Sequence, residues 1–401
     1  MPSIYLHIPF CEAKCIYCDF NSYAGQDHLH EKFVAALCAD VARGPQPDVL
    51  ARLAPAPADE PDPLAVSDPA GPLPVATIFL GGGTPSVLQP EQIARLLDAC
   101  RVHYAVAPDA EISMEANPGT ITEAKFAGYR AAGINRLSMG VQSFDDTLLR
   151  RIGRIHTAAQ ARDAYDRARR AGFDNINLDL IFGLPGQDLT HWGRTLVEMV
   201  ALAPDHVSAY SLIVEEHTPL WAAGEAGRET VPGEDEVAAQ YELARERLAA
   251  AGYAQYEISN WTRGKPCRHN LVYWRAEEYL GFGPGAAGYW ANRRYTTILR
   301  PHEYIKRLAA GDTPIAGAEW IGRPLAMGEF MMLGLRTLDG VALADFAARF
   351  GQPFEEVYGA TAAQLRGWGL LALEPAGARV RLTDRGLLLG NEVFARFLPD
   401  A

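Results

Sequence analysis

The chain is short of cysteine, of long apolar runs and of positive charge, and each shortage removes a class of protein. Six cysteines in 401 residues are too few for a disulfide scaffold. No apolar run reaches the roughly 18–20 residues of a transmembrane helix. A formal net charge of −12 argues against a broad nucleic-acid surface, so no nucleic-acid partner is expected. Met1–Phe10 has neither a basic start nor a long apolar stretch, so it does not read as a signal peptide. The expectation is a cytoplasmic protein in a reducing compartment, where cysteines serve metals or catalysis more often than cross-links. At 48% hydrophobic residues, the chain can bury one large domain and a small one.

Half of the scarce cysteines fall together, as Cys11, Cys15 and Cys18. A C-x3-C-x2-C spacing of thiols reads as a metal-cluster site. Three ligands are one short of a [4Fe–4S] cube, and the iron without a cysteine would be open to bind and activate a further molecule. Zinc is the rival, because structural zinc takes four Cys or His ligands and His7 lies just upstream. Cys38 and Cys100 sit in helix-like stretches and read as small core residues.

Strand-like and helix-like runs alternate. Strands are expected at Ile4–Ile8, Thr77–Leu80, Glu111–Met114, Arg136–Met139, Ile176–Ile181 and Val207–Leu212. Amphipathic helices are expected at Gln92–His103, Glu123–Ala132, Ala158–Ala171 and His191–Ala201. Six such units imply an α/β fold with a parallel sheet, either most of a (β/α) barrel or an open doubly wound sheet, with ligands at the C-terminal strand ends. Residues 44–74, rich in Pro, Ala and Asp, read as a flexible insertion. From about residue 301 the pattern becomes short helices and then a hairpin with a turn at Ala376-Gly377. This suggests a winged-helix-like C-terminal domain of residues 301–401, packing on its neighbour rather than on DNA. The remainder, residues 1–300, is expected to form the large domain.

Polar or glycine-rich residues follow successive strands. Gly81-Gly82-Gly83-Thr84-Pro85 comes after the second strand, where glycines let a backbone approach a ligand and turn N–H groups towards an anion. Glu115, Gln142 and Arg154 come after the third and fourth strands, and Asp179 lies in the fifth. Each alone is an ordinary surface or capping residue. Together they form a polar ring that could hold an amino acid, its ammonium against carboxylates and its carboxylate against Arg154.

The cysteine triad, the GGGTP string, Tyr5–Cys11, Ser138–Gln142 and Asp179–Pro185 together resemble the radical S-adenosylmethionine superfamily, over nearly the whole chain. Within it they resemble the group of oxygen-independent coproporphyrinogen III oxidases and their haem-chaperone relatives. The resemblance implies a partial (β/α)6 barrel. It implies a [4Fe–4S] cluster on Cys11, Cys15 and Cys18, and S-adenosylmethionine on the open iron. Around that cofactor the matching positions are Tyr5, Tyr17, Gly82, Gly83, Thr84, Glu115, Gln142, Arg154 and Asp179.

Two departures separate the oxidase from its relatives. The oxidase pattern has a further cysteine two residues after the third, where this chain has Phe20, and a substantial segment before its cluster. The string Cys267-Arg268-His269-Asn270-Leu271-Val272-Tyr273-Trp274 matches the H-N-x-x-Y-W string of the chaperones. Imidazole is a good axial ligand for haem iron, and Tyr273 and Trp274 could pack on a porphyrin face. By chemistry alone, a histidine beside aromatics is more often a core residue, and Cys267 is an alternative ligand. The resemblance implies haem bound through His269, Asn270, Tyr273 and Trp274 by a chaperone without coproporphyrinogen oxidase activity. Its partners would be haem-accepting proteins, including respiratory ones at the membrane, and a homodimer fits. The oxidase is the alternative. Gly281–Ala286 is expected to be a loop near the cofactor.

Overall fold

The computed structural model describes residues 1–65, 71–374 and 378–399. A twelve-stranded sheet organises the chain. Its centre is β1 (Ser3–Ile8), β2 (Pro74–Gly82), β3 (Ala105–Ala116), β4 (Arg136–Gln142), β5 (Ile176–Phe182) and β6 (His206–Ser211), each paired in parallel with the next. Then come β7 (Ala254–Glu257), β8 (Asn260–Thr262), β9 (Tyr279–Phe282), β10 (Ala287–Trp290), β11 (Arg293–Thr297) and β12 (Ile315–Trp320). The order across the sheet is β12-β11-β10-β9-β1-β2-β3-β4-β5-β6-β8-β7. The strand order does not reverse among β1–β6, as it would in a doubly wound sheet. This is the partial barrel expected from six consecutive strand–helix units.

The expected helices form at Pro90–His103, Glu123–Ala132, Ala158–Arg170 and Leu189–Leu202. Thr122, Thr157 and Asp188 cap three of them by accepting backbone N–H bonds. Facing these helices, β2–β6 present Ile78, Leu80, Ile112, Met114, Leu137, Met139, Leu178, Leu180 and Val207, all buried in the main core. Each contributes about 1.5–3 kcal/mol by leaving water. The alternate residues, on the other face, are polar: Thr77, Ser113, Arg136, Ser138, Asn177, His206 and Ser208 are buried as well. Parallel sheets covered on both faces normally read as continuous apolar runs. Here the period-two alternation keeps one face for something other than core.

Three expectations need correcting. Gly281 and Phe282 belong to β9, which pairs in parallel with β1, so only the residues after Phe282 form a loop. The sheet continues past residue 300, because β12 pairs with β11. The segment expected to be flexible is docked through its first part. It forms a helix at Pro47–Leu53, and Asp62 pairs at 2.8 Å with the Arg293 guanidinium, which is 0% exposed. A buried cation needs such a partner, and that need outweighs the segment's loop-like composition. Residues 66–70 of that segment and the expected turn at Ala376-Gly377 lie outside the described residues.

Beyond β12 come helices Arg323–Gly334, Leu343–Phe350 and Phe354–Gly367. A three-stranded sheet of Val341–Ala342, Arg379–Leu382 and Leu371–Leu373 accompanies them. This unit meets the edge of the large sheet through backbone bonds from Ile258 to Arg336 and from Leu338 to Tyr256. Among the described residues no helix is long and apolar enough to cross a membrane.

Candidate cofactor and ligand cavity

The polar sheet face encloses a cavity of about 640 Å³, within the usual range for small-molecule sites. Cys11, Cys15 and Cys18 line it. So do Tyr5, Tyr17, Gly82, Gly83, Thr84, Glu115, Gln142, Arg154 and Asp179, and so do His269, Asn270 and Tyr273.

The cysteine loop follows β1 and is pinned from three sides. On one side, Gly83 N–H donates to Ile8 O (2.8 Å) and Thr84 N–H to Phe10 O (2.7 Å). A Cβ on Gly83 would stand 2.6 Å from Phe10 O, and one on Gly82, at φ +110°, 2.6 Å from the His7 ring. The glycines are therefore needed for one backbone to lie against another. Their N–H groups are used within the protein and do not face an anion as the sequence reading expected. Gly82 N–H donates to Glu115 (3.1 Å). On a second side, Asn21 donates to Pro284 O (2.8 Å) and Leu299 O (2.9 Å), so the loop after β9 holds the cysteine loop. On the third, Ile16 bonds through its backbone to Ile152 and Leu220.

His7 engages Tyr5 through Nδ1 (3.1 Å) and Asn21 O through Nε2 (2.9 Å), and it is absent from the cavity wall. With both nitrogens engaged it is a poor fourth ligand, which weakens the zinc alternative. Thr84 Oγ1 donates to Cys11 Sγ (3.4 Å) and Arg154 Nη1 to Cys15 Sγ (3.4 Å). Such donors suit sulfurs that carry negative charge. Among the described residues no three His, Cys, Asp or Glu side chains already form a closed metal site. The donor set of three free thiols on one wall fits a cluster held by three cysteines.

Beside the cysteines, a β-bulge between Gly140 and Gln142 puts Gln142 at φ +66° and re-aims its side chain. Burial, with Asp179 close by, pushes the Glu115 carboxyl up to about 8. Burial also raises Asp179, which accepts from Ser138 (3.0 Å) and Asn177 (2.8 Å). The Nε of Arg154 is buried without a partner among the described residues. Two carboxyls short of positive charge and a guanidinium short of an acceptor fit a ligand that carries both an ammonium and a carboxylate.

The helix Arg268–Trp274 closes the far end of the cavity. It lies against the middle of β2 and β3, at Thr77, Phe79 and Glu111. Glu111 caps it, accepting from Arg268 N–H (3.0 Å), His269 N–H (3.1 Å) and the Cys267 thiol (3.3 Å). His269 stacks on Phe79. The Thr77 hydroxyl gives its one hydrogen to Ser3 (2.7 Å), so it accepts from His269 Nδ1–H (2.7 Å). That tautomer leaves Nε2 to accept from the Tyr273 hydroxyl (3.0 Å). Burial and the nearby Arg136 hold this imidazole down to about 3, so it stays neutral.

His269, Asn270 and Tyr273 share a helix face at i, i+1 and i+4, whereas Trp274 turns a further ~100° away. Trp274 is not in the cavity wall. The Arg336 guanidinium lies over its ring at 4.4 Å. The expectation that Tyr273 and Trp274 share one ligand face is therefore corrected. Cys267 is buried against Glu111, which helps push its thiol up after burial itself, to about 12. It too is absent from the cavity wall.

The sequence reading missed Asn21, Glu111, Arg136, Ser138, Asn177 and Ser208. The alternation of polar and apolar residues inside the strands marks all of them except Asn21.

Residues 5–198 match the radical SAM superfamily and residues 324–389 the HemN C-terminal domain. That superfamily implies a [4Fe–4S] cluster and S-adenosylmethionine. When bound, such a cluster would be able to supply an electron to the carbon–sulfur bond of the S-adenosylmethionine sulfonium. The chain is 37% identical to the haem chaperone HemW of Bacillus subtilis, covering 100% of both chains. It is 39% identical to HemW of Mycobacterium tuberculosis over 98% of this chain and 94% of that one. It is 40% identical to HemW of Escherichia coli over 71% and 69%. In fold it resembles the coproporphyrinogen III oxidase HemN of Escherichia coli, with a TM-score of 0.80 and 23% identity over 99% of this chain and 90% of that one. Full-length identity of this order, on a cavity walled by three free thiols, shows that the chain belongs to the HemW family of radical S-adenosylmethionine proteins.

Proposed function

We propose that the chain is a haem chaperone: it binds haem in this cavity and passes it to haem-accepting proteins, membrane-bound respiratory proteins among them. The observation that carries the reading is that one cavity joins the cysteine wall to the face of His269, Asn270 and Tyr273. The naming of its full-length relatives supports it. Cys11, Cys15 and Cys18 hold the cluster. Glu115 and Asp179 receive the ammonium of S-adenosylmethionine and Arg154 its carboxylate. Tyr5, Tyr17, Gly82, Gly83, Thr84 and Gln142 shape the surrounding wall. His269 Nε2 is the axial ligand once the Tyr273 hydroxyl moves aside, and it is favoured over Cys267, which is not in the wall. The cluster and S-adenosylmethionine assist or gate transfer. The six free cysteines suit the reducing cytoplasm. Pairing of two copies completes the reading.

The oxidase alternative is not favoured. Where its pattern has a fourth cysteine, Phe20 stands at the cavity mouth, 69% exposed. The deciding experiment is an anaerobic haem titration followed at the Soret band, run beside an assay for carbon dioxide release from coproporphyrinogen III. A Soret shift that His269→Ala abolishes, without carbon dioxide release, is the expected result. No shift, or a shift unchanged in His269→Ala, would refute the assignment of His269.

A further inference from the structure

Arg136 is the first residue of β4 and points into the cavity from the sheet face. It is 2% exposed. No hydrogen bond or ion pair of its side chain is formed among the described residues. The charges of Glu111 and Asp179 reach it, but neither carboxylate comes within ion-pair distance. Leaving a buried guanidinium without a direct partner is costly. Several other buried polar groups on this face are satisfied, although the Ser113 hydroxyl is not. Asn177, for instance, donates to Ser138 (2.7 Å) and Ser208 (2.9 Å) and accepts from His206 (2.7 Å). Arg136 is the full positive charge among them that no side chain pairs among the described residues, and the space it faces is the ligand cavity.

Its position relative to His269 is informative. The Thr77 that holds His269 lies on β2, Glu111 is the residue paired with it on β3, and Arg136 begins the next strand, β4. Arg136 pairs with Ser113, two residues beyond Glu111, so two strand spacings, about 10 Å, and a two-residue offset along the strands separate the backbones that carry the imidazole's anchor and the guanidinium. A tetrapyrrole has its metal at the centre and its carboxylates at the rim. An axial ligand and a carboxylate anchor must therefore stand apart in one cavity, and His269 and Arg136 line this one from two different elements, a helix and the sheet. Arg154 is a separate group at the cysteine end, bonded to Cys15 and Gly140.

We propose that Arg136 is the carboxylate anchor of the cavity floor, pairing with an ionised propionate of the bound tetrapyrrole and so setting its orientation towards His269. This rests on the haem reading above. The contact is a charge-assisted pair of the kind guanidinium forms with planar carboxylates.

The test compares haem with haem dimethyl ester, which keeps the ring and iron but has no carboxylate charge. Both are titrated at the Soret band into the unsubstituted protein, Arg136→Lys and Arg136→Met. The unsubstituted protein should prefer the free acid by about tenfold or more. Arg136→Met should lose that preference by weakening haem and not ester. Arg136→Lys should retain part of it. Equal affinity for acid and ester in the unsubstituted protein overturns the anchor without any variant, even if Arg136→Met fails to fold. Unchanged discrimination in Arg136→Met also overturns it. Absence of any Soret shift overturns the haem reading itself, and the anchor with it. A shift for both compounds without discrimination overturns the anchor alone.

Discussion

The Nε2 of His269 lies 3.0 Å from the phenolic oxygen of Tyr273, so the nitrogen best placed to bind a metal already accepts a hydrogen bond. Any ligation at this atom must displace that bond. Tyr273→Phe should therefore raise haem affinity by about two- to tenfold, the net worth of one hydrogen bond. Soret titration of the variant beside the unsubstituted protein checks this. Weaker binding would mean that the hydroxyl holds the ligand rather than competing with it.

Gly82 and Gly83 bring the second strand's end against the cysteine loop. Gly82→Ala would put a methyl 2.6 Å from the His7 ring at φ +110°, and Gly83→Ala one 2.6 Å from Phe10 O. Both variants should lose at least about 2 kcal/mol of stability and most of the iron taken up in anaerobic reconstitution. Gly172→Ala is the comparison: its φ is +88° with nothing within 4 Å. It should cost about 1 kcal/mol and leave iron uptake intact.

Asp40 is buried on the helix His30–Arg43, where it accepts from Tyr304 (2.6 Å) and Gly283 N–H (3.3 Å). Burial pushes its carboxyl from 3.8 up to about 6. Between those values the folded chain holds more protons than the unfolded one, so stability falls as pH rises through the window. The loss attributable to this group is about 3 kcal/mol, complete above pH 7. Denaturant unfolding at pH 4 to 7 should show a shallower decline in Asp40→Asn. Parallel curves would mean that Asp40 does not titrate in this range.

Asp62→Ala should unsettle the docked part of the 44–74 segment. Among the described residues, Arg293 would keep the carbonyls of Ala54 (2.8 Å) and Ala291 (2.9 Å) and the Trp320 ring. A loss of about 2–3 kcal/mol is expected, smaller than for a fully buried pair because Asp62 is partly exposed. Adding Arg293→Met should restore part of it, and a double-mutant cycle measures the coupling.

The strands and helices that carry the barrel were legible because their periods of 2 and 3.6 were strong and their caps conventional. The strand Tyr279–Phe282 was not, because Gly281 and Gly283 look like a turn. Gly281 is required instead by the close approach of the Ala287 backbone. The cysteine wall was legible from spacing alone. The use of the glycine N–H groups was not, since it depends on which backbone lies alongside. Tyr273 and Trp274 look equivalent as neighbours in sequence, and only helical geometry separates them. Arg136 and its polar neighbours on the sheet face could have been found, because RLSMG, INLDLI and HVSAY alternate too regularly for strands buried on both sides.

That alternation means the protein has two interiors, and only one of them behaves as a core. The layer between sheet and helices is held by apolar contact whatever the cavity contains. The enclosed polar face gains nothing from exclusion of water until a ligand's own charges replace it. Occupancy should then register as thermal stability. On the haem reading proposed above, a chain made in cells starved of iron or tetrapyrrole would be the softer form, more open to proteolysis.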